Sequence, residues 1–162
     1  MQTEEAILAA GCFWGVQFYF DQVPGVTETE VGYIGGHTKN PSYEAVCTHT
    51  TGHAEATRIV FDPKKISYNT LLMQFFRMHD PTQLNRQGPD VGDSYRSAIF
   101  YKDAVQKQAA QKIIDELNKQ TYKGKIATTL EPAGEFWPAE DYHQKFTERT
   151  GRGMCHVAYA PV

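Results

Sequence analysis

Residues 5–20 read EAILAAGCFWGVQFYF and contain an apolar run, two glycines and a cluster of aromatic side chains. The apolar run at residues 5–10 is typical of a short buried strand. The aromatic stretch at residues 13–20 has the spacing of a helix, whose buried face would carry Phe13, Val16 and Phe20. Because the two elements follow one another directly, we predict a strand-to-helix turn at Gly11 and Cys12.

Outward from this unit, turn residues divide the chain into further strand and helix patterns. Strands are predicted at residues 26–34, 55–61, 97–101 and 128–131, and helices between Ser67 and Pro81 and at residues 104–122 and 139–149. The first six elements follow the order β-α-β-β-α-β, which predicts an α+β fold, a ferredoxin-like two-layer sandwich with helices packed on a central sheet. The apolar face of the helix at 104–122 is predicted to carry Val105, Ala109, Ile113, Ile114 and Leu117.

Two segments stand apart from this regular plan. Residues 80–95 show no regular period, and loops of that length are usually functional or disordered. The segment 150–162 contains Gly151 and Gly153, and we expect it to be a flexible tail. Since no repeat or linker divides the remainder, residues 1–162 are predicted to form a single catalytic domain.

Composition excludes several classes of protein. Sixteen Lys and Arg residues against 19 Asp and Glu residues give a formal net charge of −3 at pH 7, so no basic surface is expected for nucleic acid. The longest apolar run, at residues 6–16, is far shorter than the ~20 residues that span a bilayer. The acidic start MQTEE is unlike a signal peptide, and we expect a cytoplasmic protein. Three cysteines are too few for a disulfide framework and form no CxxC pair.

Cys12 is the first candidate for chemistry. A thiol at a helix N-terminus meets unpaired backbone N–H groups and the positive end of the helix dipole, which both favour the thiolate. Equally, cysteine here fits a small buried apolar residue between Ala10 and Phe13. From the residues alone, Glu55 fits a solvated strand end, Tyr43 and Tyr95 fit core aromatics, and Asp90 fits a turn residue.

Six blocks of sequence carry a family resemblance. They are GCFWG at 11–15, GYIGG at 32–36, NPSYEAVC at 40–47, TGHAE at 51–55, HDPTQLNRQGPDVGDSYRS at 79–97 and AEDYHQ at 139–144. All six occur in family order over nearly the whole chain, and with them the sequence resembles the peptide-methionine (S)-S-oxide reductases, the A-type methionine sulfoxide reductases. Enzymes of this class restore methionine from its sulfoxide.

The resemblance implies a set of catalytic roles. Cys12 would attack the sulfoxide sulfur, and Glu55 would bind and protonate the sulfoxide oxygen. Tyr43, Tyr95 and Asp90 would assist Glu55. Lowering a thiol pKa by two units raises the thiolate fraction ~25-fold, but the accompanying loss of nucleophilicity leaves a net gain of only about a few-fold. An acid is therefore needed as well, and burial of Glu55 between two alanines would raise its pKa and keep it protonated.

The resemblance also implies the remaining parts of the reaction. Phe13 and Trp14 would form apolar walls around the substrate methyl group, and Cys155 would resolve the Cys12 sulfenic acid as a disulfide that thioredoxin reduces. Cys47 is predicted to be an inert buried thiol. We expect a monomer that repairs oxidised proteins, acts on free or protein-bound methionine-S-sulfoxide and needs no metal or other cofactor.

Two other classes use the same residues. One is a thiol hydrolase with Cys12 as nucleophile and either His53 or His143 as base. The other is a non-enzymatic metal-binding module built from Cys47, His49 and His53, whose CxHxxxH spacing supplies only three ligands. The hydrolase would need no acid at Glu55 and would act on esters or amides, and the metal-binding module would require zinc bound in stoichiometric amount.

Overall fold

The computed structural model describes residues 2–152, which form a central sheet with helices packed on it. The strands are β1 (Glu4–Ala10), β2 (Val26–Ile34), β3 (Ala54–Phe61), β4 (Arg86–Gln87), β5 (Asp90–Val91), β6 (Ser97–Tyr101), β7 (Thr129–Pro132) and β8 (Trp137–Pro138). The helices are α1 (Phe13–Asp21), α2 (Tyr43–Cys47), α3 (Tyr68–Met78), α4 (Ala104–Leu117) and α5 (Phe146–Thr150). No helix within these residues is long and apolar enough to cross a membrane.

Strand order in the main sheet is β7-β6-β1-β3-β2-β8. β1 is antiparallel to β3 and β6, β2 is antiparallel to β3 and β8, and β7 is parallel to β6. The fold is therefore α+β with a mixed sheet, and the predicted order of the first strands and helices is confirmed, apart from the additional short helix α2. β4 and β5 pair in a separate hairpin within the segment predicted as a loop.

One face of the sheet forms the main core with the helices. Alternate β1 residues on this face pack with apolar side chains of α1, α3 and α4, among them Leu8, Val16, Phe20, Leu72, Phe75 and Ile113. The helical spacing predicted for α1 is confirmed, since Phe13, Val16 and Phe20 are all buried. The hydroxyl of Ser67 accepts a hydrogen bond from the backbone N–H of Thr70 and begins α3 as predicted.

The opposite face of the sheet is covered by fewer apolar side chains than the face that packs on the helices. Ile7, Ala54 and Phe100 belong to its apolar cluster, which packs against Ala133 and Phe136 from the connection between β7 and β8. This connection carries the chain from one edge of the sheet to the other, so that the residues after β8 return beside α1. The C-terminal part of the described chain consequently reaches the same end of the sheet as Cys12.

Two helix predictions need correction. α4 ends at Leu117 and continues as a π-helical turn to Tyr122, and Val105 is 75% exposed, so the buried face is formed instead by Gln106, Ala110, Ile113, Ile114 and Leu117. The helix predicted at residues 139–149 is also wrong: a 3-10 turn at Asp141–His143 is separated from α5 by Lys145, which has a φ of 57°. Left-handed backbone at Lys145 ends any continuous helix there.

Candidate active site

The turn that carries Cys12 forms as the sequence predicts. Gly11 has a φ of 90°, a conformation that glycine adopts without the strain that a Cβ would cause. Cys12 follows as the N-cap residue of α1 and is partly exposed. The thiol therefore lies where the first backbone N–H groups of the helix have no intrahelical acceptor.

Strand register brings the other candidates to the same end of the sheet. Leu8 lies opposite Thr57, so the C-terminal end of β1 is beside the N-terminal end of β3, where Glu55 lies. Ala10 lies opposite Ser97, which places the residues just before β6 at this end too. Antiparallel pairing thus assembles residues that are far apart in sequence.

Glu55 is the buried carboxyl of this cluster. Its side chain is 1% exposed, and its Oε1 accepts a hydrogen bond from the backbone N–H of Phe13 at 3.3 Å. Burial raises its pKa to about 8, the N–H of Phe13 opposes this shift, and the charge of Asp90 adds to it. At neutral pH, Glu55 is mainly a protonated acid that can donate a proton.

Two tyrosine side chains interact electrostatically with this carboxyl. Tyr43 is the first residue of α2, and Tyr95 ends the short 3-10 turn after β5. Burial raises the pKa of both phenols, and the charge of Glu55 raises it further, with Asp90 and Cys12 also acting on Tyr95. Both hydroxyls stay protonated at neutral pH.

Cys47 lies within the cluster as well. It is partly exposed and hydrogen-bonded to Tyr43 one helical turn earlier, and burial raises its pKa. The prediction of a buried thiol is therefore wrong, because Cys47 is partly exposed.

Phe13 is 1% exposed and packs on Tyr33 with ring centroids 5.7 Å apart.

Trp14 is the partly exposed aromatic side chain next to Cys12. Its ring stacks on that of Phe146 at 3.9 Å between centroids, and its Nε1 donates a hydrogen bond to Nδ1 of His143 at 2.8 Å. These two contacts hold the indole against the end of the described chain. Phe13 lies beneath the site and Trp14 lies at its side.

Comparison with known proteins shows the family to which the chain is similar. The family profile described as peptide methionine sulfoxide reductase matches residues 4–162. The chain belongs to the peptide methionine sulfoxide reductase family. Members of this family are oxidoreductases that act on methionine sulfoxide, and the family resemblance stated above is confirmed.

Individual relatives are similar over most of their length. A peptide methionine sulfoxide reductase MsrA of Methanosarcina acetivorans is 55% identical over 149 residues, which are 91% of this chain and 79% of that protein. The reduced form of Mxr1 from Saccharomyces cerevisiae superposes with a TM-score of 0.92 at 33% identity, covering 99% of this chain and 92% of Mxr1. A structure of Mxr1 in complex with Trx2 has a TM-score of 0.64 at 25% identity, covering 90% and 85%.

In this peptide methionine sulfoxide reductase, the two histidines that could serve as base in the hydrolase alternative already accept hydrogen bonds at their unprotonated ring nitrogens. His53 accepts a hydrogen bond from the N–H of Gly36 at Nδ1, and its Nε2 is 2.8 Å from the carbonyl of Thr38. In His143, Nδ1 accepts from Trp14, and burial lowers the pKa, so the neutral ring carries its proton on Nε2. Neither imidazole has a spare lone pair to deprotonate Cys12.

The metal alternative fails on geometry too. Among residues 2–152 there is no group of three or more His, Cys, Asp and Glu side chains that could hold a metal ion. His53 uses both ring nitrogens on backbone groups, and Nδ1 of His49 lies 3.6 Å from Asp93. Cys47, His49 and His53 do not converge on one point.

Sequence reasoning gave no role in the reductase to three residues that the fold brings to the site. They are Glu140, whose carboxylate binds Tyr33 and Tyr43, and His143 and Phe146, which hold Trp14. The first two belong to the matched block AEDYHQ, and the third follows it closely, so that block was the available signal. Cys155, the predicted resolving residue, lies outside the described residues.

Proposed function

We propose that this protein reduces methionine-S-sulfoxide, free or in proteins, with Cys12 as nucleophile and Glu55 as acid. The observation that carries the proposal is the buried Glu55, whose pKa is raised to about 8 and whose carboxyl is hydrogen-bonded to the first residue of the helix that Cys12 caps. A nucleophile and a protonated acid at one end of a sheet are the two groups that sulfoxide reduction needs.

The first step forms a transient S–S bond between Cys12 and the substrate, which breaks again as the protonated oxygen passes from the substrate sulfur to the Cys12 sulfur. The Cys12 thiolate attacks the sulfoxide sulfur while Glu55 delivers a proton to the oxygen, which would otherwise be a poor leaving group. The products are methionine and a Cys12 sulfenic acid, so sulfur of the substrate is reduced and sulfur of Cys12 is oxidised by two electrons. Tyr43 and Tyr95 donate hydrogen bonds to the oxygen, and Asp90 keeps Glu55 protonated through its negative charge.

Phe13 and Trp14 are the proposed apolar walls of the methyl site. Trp14 is suited to this role because its indole N–H is already satisfied by His143, and the ring face that does not stack on Phe146 can make an apolar contact. The S-methyl group is the part shared by every methionine sulfoxide, so a site that binds it accepts free and protein-bound substrates. Selection of the S epimer is part of the proposal and follows from family resemblance.

The second step regenerates the enzyme. Cys155 condenses with the Cys12 sulfenic acid to form a disulfide and release water, and a thioredoxin dithiol then reduces that disulfide. The guanidinium of Arg152 lies 5.8 Å from the ring centroid of Phe146, which stacks on Trp14. This contact places the side chain of the last described residue beside the aromatic pair next to Cys12.

Thioredoxin is the proposed electron donor, supported by the complex of the yeast relative Mxr1 with Trx2. The scheme uses no metal or other cofactor. We also infer the ferredoxin-like arrangement from the central strand order β6-β1-β3-β2. A single domain over residues 1–162, a flexible tail, a monomeric state and a cytoplasmic location stay predictions of the sequence.

A thiol titration tests the proposed function. Reduced protein is titrated before and after addition of methionine-S-sulfoxide in the absence of reductant, and released methionine is counted. The scheme predicts the loss of two thiols and the appearance of one methionine per protein. Unchanged thiols with no methionine would disprove it, and a loss confined to Cys12 would leave the resolving step without support.

A further inference from the structure

Glu140 joins two elements of the active site through one carboxylate. Its Oε2 accepts a hydrogen bond from the backbone N–H of Tyr43 at 2.9 Å, and its Oε1 accepts one from the hydroxyl of Tyr33 at 2.8 Å. Burial alone would raise its pKa, but these hydrogen bonds lower it below the ordinary value. The side chain is thus an anion at neutral pH with one donor on each oxygen.

Tyr33 is a fixed reference point within the sheet. It is completely buried in β2, lies opposite Glu55 in the register of β2 with β3, and packs its ring against Phe13. Its hydroxyl needs an acceptor because an unpaired buried hydroxyl is costly. Glu140 supplies that acceptor. The bond holds the Glu140 side chain in a fixed position relative to β2 and its neighbour β3, the strand that carries Glu55.

Tyr43 begins the five-residue helix α2, which is too short to be stable alone. The hydroxyl of Ser42 accepts from the N–H of Ala45, and Glu140 accepts from the N–H of Tyr43. The first bond is local to α2, whereas the second ties its first turn to the sheet. Without Glu140, α2 keeps its local cap but loses the hydrogen-bonded connection to β2, the strand that pairs with β3.

We infer that Glu140 is a positioning residue that sets the place of the Tyr43 hydroxyl relative to Glu55. It does not touch substrate, and it acts through the backbone of Tyr43. The inference rests on the proposed function, in which the Tyr43 hydroxyl binds the sulfoxide oxygen. Displacement of a reacting group by about 1 Å can cost up to a hundredfold in rate, so a movable α2 would slow the chemical step.

The test is a double-mutant cycle on single-turnover release of methionine. Glu140→Ala should slow release about tenfold, and no more than Tyr43→Phe does. In the double variant the rate should equal that of Tyr43→Phe alone, because no hydroxyl remains to be misplaced. An unchanged rate in Glu140→Ala, or losses that multiply in the double variant, would overturn the inference.

Two further variants separate positioning from general damage to the fold. Glu140→Gln can keep the Tyr43 bond at its carbonyl oxygen while its amide donates to a reversed Tyr33 hydroxyl, so its rate should return to within about threefold of the original. A rate as low as that of Glu140→Ala would contradict the hydrogen-bond account. Glu135→Ala, at an exposed glutamate five residues before Glu140, is the matched control and should keep the full rate.

Failure of this inference can be told from failure of the proposed function. If the protein does not reduce methionine sulfoxide, the unmodified chain releases no methionine in the single-turnover measurement. If only the role of Glu140 is wrong, the unmodified chain releases methionine and the cycle gives one of the contradicting outcomes. Thermal unfolding of each variant shows whether a slower rate comes with a loss of folded protein.

Discussion

The backbone N–H of Phe13 donates a hydrogen bond to Oε1 of Glu55 at 3.3 Å. This bond links the first turn of α1, which Cys12 caps, to the first residues of β3. It also keeps one carboxyl oxygen turned toward the Cys12 turn, while Oε2 is buried and has no hydrogen-bond partner among the described residues. An unsatisfied buried oxygen favours the protonated carboxyl and leaves an O–H available for a substrate oxygen.

Glu55→Gln should slow methionine release at pH 7 by about a hundredfold or more, because the amide can donate a hydrogen bond but no proton. The fold and the Cys12 turn should persist, since the amide oxygen can still accept from Phe13. Single-turnover release of methionine measures the rate, and alkylation of Cys12 with iodoacetamide is the control for an accessible thiol. Turnover equal to that of the unmodified protein would remove Glu55 from its role.

The chemical step should depend on pH through Glu55. Its pKa is raised from the ordinary 4.5 to about 8, so the carboxyl loses its proton as the pH rises through 8. The rate should therefore fall by about tenfold for each further pH unit, while Glu55→Gln shows no such decline. Single-turnover rates between pH 6 and pH 10 measure both profiles. A decline of the same size in both proteins would assign it to another group.

The same carboxyl should make stability depend on pH. Between pH 4.5 and 8, the unfolded chain ionises Glu55 whereas the folded chain keeps it protonated, so the folded state binds the extra proton. This group therefore lowers the free energy of unfolding as the pH rises, by at most about 1.4 kcal/mol per pH unit, and its effect is constant above 8. Urea unfolding should show Glu55→Gln gaining stability relative to the unmodified protein from pH 5 to pH 8; a constant difference would contradict a raised pKa.

Cys155→Ser should release one methionine per protein but fail to turn over with thioredoxin and its reductase, because the thiol proposed to resolve the Cys12 sulfenic acid is absent. Cys47→Ser is the matched control, since a serine hydroxyl can still bond to Tyr43, and it should recycle normally. NADPH consumption measures turnover, and trapping with dimedone detects the sulfenic acid. Normal cycling by Cys155→Ser would show that Cys155 is not the resolving residue.

The local sequence pattern was sufficient to predict the strand, the turn and the helix around Cys12. The apolar run, the glycine and the helical spacing of Phe13, Val16 and Phe20 lie within sixteen consecutive residues, and each depends on its near neighbours. Local pattern gave a wrong helix at residues 139–149, where Glu140 and Gln144 bond to distant backbone. Gln144 accepts from the N–H and donates to the carbonyl of Val31.

The sequence by itself determined the strands and helices near Cys12, the family and the identity of the candidate residues. Only the tertiary structure decided that Glu55 is protonated, that His143 holds Trp14 and that Glu140 holds Tyr43. The reason is that burial and hydrogen-bond partners come from other elements: the bonded pairs Phe13–Glu55, Trp14–His143 and Tyr43–Glu140 are 42, 129 and 97 residues apart. Such contacts exist only after the sheet has brought its strands into register.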